Sequence, residues 1–76
     1  MPKLPHLSGS DVIKLLAKIG FFPTRQRGSH VILVRYDANG KRAVVVPIHE
    51  EIDIGTLLNI IRQAGLKRKE FLELLR

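Results

Sequence analysis

Two β-prone runs, His30 to Tyr36 and Lys41 to Val46, flank the turn sequence Asp37-Ala38-Asn39-Gly40, and this hairpin constrains the fold more than any other feature. Runs joined by so short a turn can pair only antiparallel, because a parallel pair needs a crossover of about a dozen residues. Pro47 ends the second run, since proline has no N–H to give to a ladder. A third run, Phe21 to Gln26, precedes the hairpin, and Gly28 allows a tight reversal between them. Pro23 inside that run predicts an edge strand or an irregular one. The expectation is a three-stranded antiparallel meander.

Helices bracket the meander. Ser8 is placed to cap a helix and Asp11, three residues on, to answer as a capping-box carboxylate. Val12, Leu15, Leu16 and Ile19 follow at helical spacing, and Gly20 closes the segment. The opposite face carries Lys14 and Lys18, one turn apart and pointing outward together. Asp53 caps a second helix with an apolar stripe of Ile54, Leu57, Leu58 and Ile61, closed by Gly65. Leu66 to Arg76 reads as a short third helix led by Phe71, Leu74 and Leu75. The fold class is therefore α+β, ordered α-β-β-β-α with a terminal helical turn or two and the helices on one face of the sheet.

The second strand is apolar on both parities, with Ile32 and Val34 on one face and Val31 and Leu33 on the other. One face meets the helices. The other is an apolar surface to be covered by a partner or a second copy of the chain, the alternative being a central strand that tolerates a few exposed valines.

At 76 residues the chain reads as one domain, residues 1–76, which buries only ~60% of its unfolded surface and leaves little room for a large cleft or cofactor fold. No cofactor is expected. No apolar run approaches the ~20 residues of a membrane span, and Met1 to His6 is too short and polar for a signal peptide. A soluble, cytoplasmic protein with no membrane partner is expected. Cysteine is absent, which removes disulfides, thiolate nucleophiles and Cys-based zinc sites. No recognised metal-ligand spacing occurs; Glu50, Glu51 and Asp53 read better as acids suiting the dipole of the helix that follows. The net charge of +6 lies entirely in residues 1–49, which hold eight Lys/Arg and two acids; residues 50–76 hold five of each. A field of that sign attracts polyanions.

The chemistry concentrates at Gly28-Ser29-His30. Histidine accepts and returns protons near neutral pH, and a strand's first residue beside a glycine turn sits at the sheet's rim, within reach of a substrate. Arg25 and Arg27 bracket the approach, and a cation beside an imidazole suits a phosphodiester. Ser29 reads more simply as a turn residue than as a nucleophile, because no acid stands near to complete a triad. His49 lies just past the third strand and meets the same rim as His30 or the opposite one, depending on register. His6 sits in a Pro-flanked leader for which mobility is the default expectation.

The blocks Leu7-Ser8-Gly9, Leu16-Ala17-Lys18-Ile19-Gly20-Phe21, Arg25-Gln26-Arg27-Gly28-Ser29-His30, Val46-Pro47-Ile48-His49, Gly55-Thr56-Leu57 and Gln63-Ala64-Gly65-Leu66 together resemble the HicA toxins, also called the YcfA-like family. These are small mRNA interferases of toxin–antitoxin modules. The resemblance implies a fold similar to the double-stranded-RNA-binding domain, and metal-independent cleavage of mRNA with His30 as the catalytic residue. It also implies a cognate HicB-type antitoxin that covers the active site. Arg25, Arg27, Gly28, Ser29, Lys14 and Lys18 are the candidate RNA contacts, with His49 a secondary candidate. One departure from the family is Val31-Ile32-Leu33, where polar or aromatic residues often follow the histidine. The rival readings are a non-catalytic RNA-binding module and an interaction protein working through its apolar sheet face.

Overall fold

The computed structural model describes residues 4–75; Met1 to Lys3, and Arg76 at the expected end of the third helix, lie outside it. Six elements follow in order: α1 (Gly9–Ala17), β1 (Phe22–Arg27), β2 (His30–Asp37), β3 (Gly40–Pro47), α2 (Ile54–Gln63) and α3 (Arg68–Glu73). The sheet is antiparallel with β2 in the centre. The third helix is shorter than expected, beginning after Lys67 rather than at Leu66.

Local chemistry explains where the helices start. The Ser8 hydroxyl accepts from the Asp11 N–H at 3.0 Å while the Asp11 carboxylate accepts from the Ser8 N–H at 3.1 Å, a complete capping box. Asp53 caps α2 in the same sense, accepting from the Thr56 N–H at 2.8 Å and the Thr56 hydroxyl at 3.1 Å. Gly20 and Gly65, both at positive φ, follow the ends of α1 and α2.

α1 and α2 pack on one face of the sheet, and α3 packs against α2. Val31 and Leu33 of β2 and Val44 and Val46 of β3 meet Val12, Leu15 and Leu16 of α1, Leu57, Ile60 and Ile61 of α2, and Phe71 of α3 in a single apolar cluster. Burial of each such side chain contributes roughly 1.5–3 kcal/mol, which is how so short a chain holds a fold. From Leu4 onward the leader is held, contrary to its expected mobility: Leu4 is buried in that cluster, and Leu7 bridges Ile52, whose N–H donates to the Leu7 carbonyl at 2.8 Å. His6 Nδ1 lies 3.3 Å from the Glu51 carboxylate on the surface beside it.

β1 is an edge strand, as Pro23 predicts, and it is irregular as well. Phe22 pairs with Val34 and Pro23 with Leu33, but Arg25 pairs with Ile32, so Thr24 is an extra residue in a β-bulge. Its hydroxyl donates to the Ile32 carbonyl at 3.2 Å. The other edge, β3, is covered by the end of α2: the Val45 N–H donates to Gln63 Oε1 at 3.1 Å, and Arg42 donates to the Gln63 carbonyl at 3.3 Å.

Candidate active site

His30 is the first residue of β2 and is exposed. The reversal before it is Gly28-Ser29, with Gly28 at φ 57°, a conformation that a residue with a Cβ adopts only at a cost. Gln26 steadies the turn by donating its side-chain amide to the Gly28 carbonyl at 3.1 Å. The ladder continues past the strand on the other side, where the Ile48 N–H donates to the Ser29 carbonyl at 2.6 Å.

Register decides which side chains share a face with His30. Val31 and Leu33 face the helices, so His30, Ile32, Val34 and Tyr36 face away from them. Arg27 pairs directly with His30 and Arg25 with Ile32, which puts both guanidinium stems on the His30 face. Directly opposed residues stand about 4.5–5.5 Å apart at Cβ, so an anion placed at His30 would lie within reach of the Arg27 side chain. Arg25, Arg27, Ser29 and His30 are all exposed.

The same register settles the rim of His49. Pro47 pairs with His30, and His49 follows two residues later, so both histidines lie at one end of the sheet. The segment carrying His49 is clamped by α1, whose Gly9 N–H donates to the His49 carbonyl at 2.9 Å. His49 also lies near Asp53. Hydrogen bonds from Thr56, first from its backbone N–H, hold the Asp53 carboxyl below its ordinary range, and the charge of His49 adds to this.

Lys14 and Lys18 are not brought to His30. Lys14 sits on α1 and Lys18 is the residue that caps its C-terminus, both in the helical layer across the sheet from the His30 face, and the Lys18 ammonium donates to the carbonyl of Leu74, the residue that caps α3, at 2.7 Å. Among the described residues no group of three His, Cys, Asp or Glu side chains is arranged to hold a metal ion.

Two features at this end of the molecule escape a reading of spacing alone. One is the bulge at Thr24, for which the Pro23 irregularity was the available signal. The other is the seat of Gly9 against the backbone of Pro47 and Ile48, where a side chain has no room. Among the described residues no helix is long and apolar enough to cross a membrane.

No curated protein matches the chain. A family model described as the HicA toxin of bacterial toxin–antitoxin systems matches residues 9–66, from the first residue of α1 through the sheet to the residue after Gly65. That span holds the Gly28 turn, both arginines and both histidines of the rim. With the match covering more than half its length, the chain belongs to the HicA toxin family and is the toxin of a toxin–antitoxin module.

Proposed function

We propose that the toxin acts as a metal-independent endoribonuclease on mRNA in the cytoplasm, with His30 as general base. The observation that carries this reading is the pairing of Arg27 with His30 on an exposed rim, with Arg25 on the same face. His30 takes the proton of an RNA 2′-hydroxyl, and that oxygen attacks the adjacent phosphorus. The bond to the 5′ oxygen breaks, leaving a 2′,3′-cyclic phosphate on one product and a 5′-hydroxyl on the other. The departing oxygen takes a proton from water or from His49. Arg27 and Arg25 stabilise the charge that develops on the phosphorane, a contribution of about 3 kcal/mol per well-aimed donor. Gly28 and Ser29 shape the turn that exposes the imidazole. Lys14 and Lys18 contribute to the long-range field that draws in RNA. A HicB-type antitoxin neutralises the toxin by covering the His30 rim.

The test is cleavage of an end-labelled RNA, in EDTA, by the purified toxin and by its His30→Ala variant, with the product ends identified. Cyclic-phosphate ends from the parent alone support the mechanism. RNA left intact but bound by both proteins supports a non-catalytic RNA-binding module instead, and equal cutting by both removes His30 from the chemistry.

A further inference from the structure

Of the four aromatic residues in the chain, Phe21 and Phe71 are core, whereas Phe22 and Tyr36 stand on the surface, 46% and 66% exposed. Their ring centroids lie 6.2 Å apart with planes inclined by 32°. The bulge at Thr24 is the reason they meet. Counting back from Arg27 and Arg25, simple alternation would bring Pro23 to the outer face and turn Phe22 toward the helices. The extra residue reverses this, so that Phe22 pairs with Val34 and joins Tyr36, Arg25, Arg27 and His30.

Charge on this face has one sign. Lys41 pairs with Tyr36 and therefore shares the face with the two arginines. The sole acid in the three strands, Asp37, is at the turn and lies 3.7 Å from Arg35, which packs on the helical side over Phe21. From His30 to Tyr36 is six residues of extended strand, about 20 Å at roughly 3.4 Å per residue. An exposed aromatic pair in line with cations and free of carboxylates is the arrangement that holds single-stranded nucleic acid, with bases stacked on rings and phosphates near the cations.

We infer that the outer face of the sheet is a track for single-stranded RNA, in which Phe22 and Tyr36 stack bases several nucleotides from the phosphate at His30. Arg25, Arg27 and Lys41 follow the backbone along it. This rests on the proposed chemistry for the position of the cut, and it deepens that reading by naming the form of the substrate. Paired bases are stacked on one another and cannot occupy such rings, so duplex RNA is excluded from the track.

The experiment measures affinity for a labelled single-stranded octanucleotide, using His30→Ala protein so that no RNA is cut. Adding Tyr36→Ala or Phe22→Leu weakens binding roughly tenfold each, the scale of one base–aromatic stack, whereas adding Tyr36→Phe leaves affinity intact. A duplex of the same sequence binds more weakly than the single strand. In the otherwise unmodified toxin, Tyr36→Ala slows cleavage of the octanucleotide but not of a dinucleotide too short to reach the rings. The inference is overturned if Tyr36→Ala and Phe22→Leu, folded by circular dichroism, bind the octanucleotide as tightly as the parent. It is equally overturned if the toxin sediments as a dimer that Tyr36→Ala dissociates with RNA affinity unchanged, since the face then belongs to a second copy. An octanucleotide that is bound through the rings but never cut leaves the track standing and removes the nuclease reading alone.

Discussion

Gly9 sits directly against the backbone of Pro47, so that a Cβ at Gly9 would overlap the Pro47 carbonyl oxygen. The contact joins the start of α1 to the end of β3, and the Gly9 N–H completes it by donating to the His49 carbonyl at 2.9 Å. Pro47 is the residue paired with His30, so the first turn of the helix helps fix the rim on which the site is built.

Gly9→Ala therefore destabilises the protein, although alanine is the better helix former. The obstruction is backbone and cannot swing aside, so a loss of about 1–3 kcal/mol is expected, the usual cost of overpacking. Chemical denaturation checks it, and an unchanged or raised midpoint would show that the contact carries no constraint.

Arg27 and Lys18 are expected to part company in kinetics. Arg27→Ala lowers kcat for RNA cleavage by roughly 10²-fold, the loss of one aimed donor, and Arg27→Lys recovers part of it because a point charge replaces a fork. Lys18→Ala lowers Tm, because it frees the Leu74 carbonyl, and reduces kcat/KM only a few-fold through the lost long-range charge. Equal kinetic losses in the two variants would contradict the separation of the helical layer from the rim.

Acid unfolding should be set in part by Asp11 and Asp53. Hydrogen bonds from Ser8, its backbone N–H first, hold the Asp11 carboxyl below its ordinary value of 3.8, and those from Thr56 do the same for Asp53. A group whose pKa is lower in the folded chain stabilises it above the unfolded value, and that stability is lost as pH falls through the folded value. Stability is therefore expected to decline below about pH 4. Asp53→Asn keeps a capping oxygen without the charge and makes the decline shallower, which urea titrations across pH 2–6 measure.

Phe71 lies beyond the span matched by the family model, yet it is fully buried. Phe71→Ala should cost about 3–5 kcal/mol, a large share of what a small domain has to lose. Thermal unfolding followed by circular dichroism reads this directly; a shift of only a degree or two would mean that α3 is dispensable to the fold.

Local chemistry in the chain determined most of the architecture. Ser8 with Asp11, and Asp53, start helices because their side chains satisfy backbone N–H groups only a few residues away. Asp37-Ala38-Asn39-Gly40 sets the hairpin because a short turn leaves the flanking strands one way to pair. His30 and its arginines stood out as residue types grouped around a glycine turn, and the family resemblance could be read from short blocks. What only the tertiary structure decided were relations between distant segments. The rim of His49 depended on the pairing of Pro47 with His30, and the role of Lys18 on a carbonyl 56 residues away. The company of Phe22 depended on one extra residue at Thr24, since side-chain direction in a strand has period two and a single insertion reverses everything on its far side.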